Sequence, residues 1–211
     1  MLHSFGAGND GVQPYAGLIT DTKGNLYGTT VGGGDYSSGI VFKVTPKGKE
    51  SVLYSFCAQT NCADGENPTS GLLMDNSGNL YGMTTKGGGA ADDGIVFKLA
   101  SDGTETVLYS FCTKTNCADG ASPNAVPIID KNGNLFGTTT AGGADNDGTV
   151  FELAPNGTER VLHVFAGGTD GNFPAAGLLM DKKGNLFGTT RNGGGSSNCG
   201  VGCGTLFKLT T

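Results

Sequence analysis

The apolar residues of this chain form no long stripes. They fall in short runs of five or six, broken by glycine- and aspartate-rich stretches, and the runs return in a fixed order. GIVFKV from Gly39 reappears as GIVFKL from Gly94, GTVFEL from Gly148 and GTLFKL from Gly204. Ahead of each lies another run: DTKGNLYGTT from Asp21, DNSGNLYGMT from Asp75, DKNGNLFGTT from Asp130 and DKKGNLFGTT from Asp181. The first three GIVFKV-like runs are followed by a polar turn, TPKGKE, ASDGTE or APNGTE, and then by SVLYSF, TVLYSF or RVLHVF. Short apolar runs bounded by Gly, Asn and Asp are strand signals.

The repeat is regular. Gly24, Gly78, Gly133 and Gly184 mark equivalent points at spacings of 54, 55 and 51 residues. The fourth copy of the last run is absent from the C-terminus and stands at the N-terminus instead, as MLHSF in residues 1–5. Each unit then supplies four strands, which in the first are residues 17–21, 25–30, 39–44 and 51–56. The links between the first two strands and between the last two are short and Gly-bearing, as hairpins require; the other two links are long. The expected fold is all-β, a four-bladed β-propeller with four antiparallel strands per blade. A ring gains from the displaced strand, since the N-terminal strand completes the last blade and two open edges disappear. Residues 1–211 thus read as one domain, with units of roughly 6–56, 57–111, 112–165, and 166–211 plus 1–5. All long links and all cysteines lie on one face.

Composition agrees and narrows the partners. Glycine supplies 39 residues without a triplet period, and charged residues are only 15%, a balance suited to many strands and tight turns. Net charge of -6 repels phosphate backbones, which argues against nucleic acid. No apolar run approaches the roughly 18 residues that cross a bilayer, so membrane insertion is not expected. Six cysteines form three local pairs, Cys57 with Cys62, Cys112 with Cys117, and Cys199 with Cys203. Their spacing lacks the CxxC pattern and further ligands of a zinc site, which favours disulfides. Disulfides imply an oxidising compartment and hence a secreted or cell-surface protein whose leader was lost before Met1.

The GNLYGTT, GG, GIVFKL and LYSF segments resemble the GloVer-type tandem repeat of the choice-of-anchor proteins over essentially the whole chain. The resemblance implies export and surface display. It implies no reaction, because that family is set by its repeat and not by a catalytic motif.

Chemistry has three candidate sources. Asp10, Asp64, Asp119 and Asp170 each precede a glycine, with a proline four residues on; Asp-Gly starts turns, yet four such carboxylates on the loop face also make an expected calcium site. Glu66, Asn67 and Asn172 add oxygens, and Asp92 and Asp145 in the Gly-rich links suit ligand recognition. Asp21, Asp75, Asp130 and Asp181 read as turn-formers that accept their own backbone N–H groups. The only histidines, His3 and His163, are general-base candidates with Asp64 alongside, although they occupy the slot held by Tyr54 and Tyr109, which points to packing. The expectation drawn is a calcium-assisted hydrolase of a small lactone or ester, by analogy with propeller lactonases. The alternative is a non-catalytic module binding a small molecule, a glycan or a cell-surface partner, with homo-oligomerisation left open.

Overall fold

The apolar runs are strands in the computed structural model, which describes residues 1–6, 9–196 and 198–210. In the first repeat the chain forms β1 (Gly11–Val12), β2 (Ile19–Thr20), β3 (Leu26–Thr30), β4 (Gly32–Gly33), β5 (Ile40–Val44) and β6 (Glu50–Ser55). Strands β2, β3, β5 and β6 make an antiparallel sheet in that order, and β1 pairs with β4. The second repeat gives β7 (Leu73–Met74), β8 (Leu80–Thr84), β9 (Ile95–Leu99) and β10 (Glu105–Ser110), again one meander. The third gives β11 (Ala121–Pro123), β12 (Ile128–Ile129), β13 (Leu135–Ala141), β14 (Thr149–Leu153) and β15 (Glu159–Val164); both β11 and β12 pair with β13. The fourth has β16 (Leu179–Met180), β17 (Leu186–Thr190) and β18 (Thr205–Leu209) in a three-stranded sheet.

Residues 1–5 form no strand, and among the described residues β18 pairs with β17 alone. The expected completion of the fourth sheet is therefore not drawn within this chain. Residues 1–5 lie instead on the first repeat, where the Phe5 ring meets Phe42 edge-on at 4.8 Å. The chain divides into two compact units, Met1–Ser110 and Phe111–Thr211. No helix is long and apolar enough to cross a membrane among the described residues.

The hairpins follow from their Asp-x-x-Gly-Asn turns. Asp21 Oδ1 accepts the backbone N–H groups of Lys23 and Asn25, each at 2.9 Å, while Oδ2 accepts Asn25 Nδ2 at 2.7 Å and Tyr27 Oη at 3.1 Å. The same arrangement recurs at Asp75 and, without the tyrosine, at Asp130 and Asp181. Led by the Asn25 side-chain hydrogen bond, it holds the Asp21 carboxyl down at about 2.

Each unit is built on one sheet-to-sheet junction. In the first, Ile19, Val41 and Leu53 of repeat one pack with Leu72, Leu80, Phe97 and Leu99 of repeat two. In the second, Ile128, Val150 and Leu162 pack with Leu178, Leu186, Phe207 and Leu209. Phe56 meets Phe97 at 5.0 Å, and Phe165 meets Phe207 at 5.2 Å, both edge-on; such pairs add to area burial. Gly28, Gly82 and Gly188, the glycines of three of the GNLYGTT-type runs, make room for such a ring. A Cβ on Gly82 would stand 2.6 Å from Phe97 Cζ.

Candidate functional site

The long links place the candidate acids, beginning with the Asp-Gly pairs. Asp64 is fully buried. Its carboxylate accepts Tyr54 Oη at 2.7 Å and the backbone N–H groups of Ala58 at 2.9 Å and Gln59 at 3.1 Å. Asp119, equally buried, accepts Thr113 through its N–H at 3.0 Å and its hydroxyl at 2.8 Å, and the Lys114 N–H at 3.2 Å. Asp10 accepts the N–H groups of Gly11 at 2.7 Å and Gly6 at 3.2 Å, and Asp170 accepts that of Ala166 at 3.0 Å. Every one of the four thus ties down its own link. The following glycine permits the fold-back: Gly65 has φ +94°, and a Cβ there would lie 2.8 Å from Ile95 and Thr84 side-chain atoms.

The two histidines join the same construction. His3 Nε2 lies 2.9 Å from Asp10 Oδ2, and His163 Nε2 lies 3.0 and 3.1 Å from the two oxygens of Asp170. They stand where Tyr54 stands against Asp64, so the slot serves an aromatic donor to the link carboxylate. Burial, then the hydrogen bond to Asp64, pushes the Tyr54 phenol well above its usual range, so it remains a donor. A calcium ion at these carboxylates would have to displace the N–H and O–H donors that already occupy their oxygens. This donor set fits a turn clasp and does not fit a hard cation, which demands free oxygens.

The remaining candidates are dispersed. Glu66 and Asn67 hold the chain by backbone bonds, Glu66 N–H to Lys86 O at 2.8 Å and Asn67 N–H to Ser38 O at 2.9 Å. Asp92 accepts the Gly87 N–H at 2.8 Å. Asn172 donates through Nδ2 to Asp147 Oδ1 at 2.9 Å, and its Oδ1 is buried with no partner among the described residues. Asp145 is exposed in the link between β13 and β14. The cysteines form the three disulfides read from the sequence, Cys57–Cys62, Cys112–Cys117 and Cys199–Cys203. The first two close the links that carry Asp64 and Asp119.

Two features escaped the sequence reading. The first is a carboxylate at the start of each last strand. Burial, and then the nearby Asp64 charge, pushes Glu105 up to about 7, and its Oε1 is buried with no partner among the described residues. Burial, then Asp10, also raises Glu50 above its ordinary value, and its Oε1 has no partner among the described residues either. In the third repeat Lys114 Nζ meets Glu159 Oε2 at 2.6 Å; the residue equivalent to Lys114 in the preceding link is Gln59, which has no charge to offer Glu105. The sequence signal was the recurring Glu of KGKE, DGTE and NGTE, but its target lies some forty residues away.

The second is a groove of about 420 Å3 on repeat one, lined by Asn9, Asp35, Tyr36 and the Val52–Ser55 stretch of β6. Tyr36 is half exposed, and Asn9 Nδ2 donates to Asp35 Oδ1. An aromatic face beside a carboxylate, an amide and the Ser55 hydroxyl is a set that stacks on an apolar ring face and hydrogen-bonds its hydroxyls. Its tyrosine is peculiar to repeat one, since the equivalent links of the other repeats have none.

The Gloeobacter/Verrucomicrobia repeat matches residues 1–207. No curated protein matches the sequence. Among solved structures, virginiamycin B lyase from Staphylococcus aureus is similar at 15% identity and TM-score 0.55, with 94% of this chain and 56% of that one covered. A putative gluconolactonase is similar at 18% identity and TM-score 0.50, covering 84% and 57%. PorZ, a surface component of the type-IX secretion system of Porphyromonas gingivalis, is similar at 19% identity and TM-score 0.57, covering 98% and 26%. The chain therefore spans little more than half the length of the first two. These likenesses establish a propeller-like all-β fold.

Proposed function

Since the chain belongs to the Gloeobacter/Verrucomicrobia repeat family, we propose that it is an extracellular binding module that takes a carbohydrate or similar polyhydroxylated ligand in the Tyr36 groove. One observation carries this reading: the groove pairs an exposed ring with Asp35, Asn9 and Ser55, and it departs from the repeat. Groups shared by all repeats serve the repeat's own folding, so the exception is where specificity belongs. Three disulfides support a place outside the cell, in keeping with the surface component among the similar structures. Titration with a panel of mono- and oligosaccharides, followed by NMR or calorimetry, tests it. Binding that is lost in Tyr36→Ala at unchanged melting temperature supports the proposal; no binding, or binding indifferent to Tyr36→Ala, overturns it.

A second reading is hydrolysis of a small lactone or ester, in which calcium would be held by Asp10, Asp64, Asp119 and Asp170 only after these carboxylates release the N–H and O–H donors that now clasp them. It is favoured by the His163 and Asp170 pair, a base with an orienting carboxylate, and by the putative gluconolactonase among the similar structures. The readings part on calcium. A cation bound only by the folded state raises its melting temperature, whereas the clasp role leaves it unmoved by millimolar calcium or EDTA.

The architecture we propose to carry the groove is a propeller of four-stranded blades in which a strand from residues 1–5 completes repeat four. Its support is the seating of Phe5 on Phe42 at 4.8 Å, which copies Phe56 on Phe97.

A further inference from the structure

The two internal junctions define what a repeat needs on each side. Its leading face offers the residues equivalent to Ile19 and Val41; its trailing face offers those equivalent to Leu72, Leu80, Phe97 and Leu99. Both halves are exposed in this structure, one on repeat four and one on repeat one. On repeat four the leading face is bare. Leu206 is 78% exposed and Leu179 is 69% exposed, whereas Val41 and Val150, the equivalents of Leu206, are 0% exposed. On repeat one the trailing face is open: Leu18 is 54% exposed where its equivalent Leu72 is 2%. Leu18, Leu26, Phe42 and Val44, with Leu2 and Phe5, line an apolar pocket of about 340 Å3.

The strand edges repeat the same asymmetry. In the first three sheets the strand equivalent to β18 is paired with a last strand, β6, β10 or β15; β18 has none among the described residues. Residues 1–5, MLHSF, are equivalent to VLYSF and VLHVF in those strands. They are held on repeat one by the contacts that a preceding repeat's last strand makes, with Phe5 on Phe42 and His3 on Asp10.

We propose that two copies of this chain associate head to tail, the residue 1–5 strand of each pairing with β18 of the other while Leu179 and Leu206 fill the partner's Leu18–Phe42 pocket. The proposal rests on the reading that such a strand completes repeat four, and it adds that the strand comes from a second copy. The occupant is fixed by an interface the chain already makes: leading face on trailing face is the packing found in each unit, so a second copy meets both halves with the equivalent residues. A free edge beside exposed leucines is otherwise an aggregation hazard. A heterologous contact closes into a ring when its rotation permits, and two copies bring the repeat number to eight. Register follows from Ile40 opposite Ser55 and Phe42 opposite Val52: Ser4 faces Thr205 and Met1 faces Phe207 across the contact.

Light scattering on the eluting protein should give twice the 21.3 kDa of one chain, and Leu206→Arg, a change at an exposed position, should give one. A Ser4→Cys and Thr205→Cys double variant should form a covalent dimer on a non-reducing gel. A cross-linked species of single-chain mass would overturn the second copy while upholding completion of repeat four within one chain. A monomer with no cross-link would overturn both. An open ladder of higher masses would overturn the closed pair.

Discussion

Glu105 combines burial with a nearby like charge. Its folded pKa of about 7 stands above the ordinary 4.5 of a glutamate, so the folded state takes up a proton. The stability this contributes is complete below about 4.5 and is lost as pH rises through 7. The melting temperature should fall between pH 5 and pH 8, and Glu105→Gln should flatten that decline; an unchanged slope in the variant would exclude Glu105 as its source. Gln59→Lys gives Glu105 the partner that Lys114 gives Glu159, and should stabilise at pH 8 by about 1 kcal/mol, discounted for solvent screening. The opposite sign applies to the turn acids. Asp21 and Asp181 are depressed chiefly by the side chains of Asn25 and Asn185; the Asp21 contribution is present above about pH 4 and is lost as pH falls through about 2, and that of Asp181 has the same sign. Acid unfolding monitored by circular dichroism should begin in that window, and in Asn25→Ala the Asp21 resonance should titrate nearer 3.8.

Among the elements, the junction strands carry the most exacting packing. The Gly82 position faces Phe97 Cζ at 2.6 Å from an added Cβ, so Gly82→Ala must push a fully buried ring aside. Overpacking of this kind costs about 1–3 kcal/mol, to be read from the midpoint of urea unfolding; a cost below about 0.5 kcal/mol would show that the ring yields freely. The links respond differently. Cys57–Cys62 and Cys112–Cys117 each close a loop that the buried Asp64 or Asp119 already ties. Asp64→Ala leaves the Ala58 and Gln59 N–H groups and the Tyr54 hydroxyl without their acceptor, a loss of about 1–3 kcal/mol. Asp64→Asn keeps part of that acceptor set and should cost less, which a purely electrostatic role would not predict.

For the molecule as a whole, the ligand groove and the repeat ends make separate demands. Removing residues 1–5 deletes Phe5 from the Phe42 face and His3 from Asp10, and should lower the melting temperature and increase aggregation through the bared apolar face. The Tyr36 groove involves none of these contacts, so saccharide binding per folded chain should persist in that truncation. Loss of both together would mean that the groove needs the completed repeat.

Much of this molecule was legible in the chain itself. Strand positions, hairpin turns and the Asp21-type turns came through because they rest on neighbours within a few residues: Asn25 reaches Asp21, and Gly24 permits the turn, whatever lies beyond. The disulfides were legible for the same reason, their partners being four or five residues apart. Counting repeats was also enough to see that residues 1–5 copy a last strand. Only tertiary structure decided the rest. It determined that the oxygens of Asp64 and Asp119 are consumed by their own links, that Glu105 comes under the Asp64 charge from the far end of the same repeat, and that among the described residues β18 has no partner beyond β17. Those outcomes depend on desolvation and on contacts between distant segments, and a linear pattern of residue types carries neither.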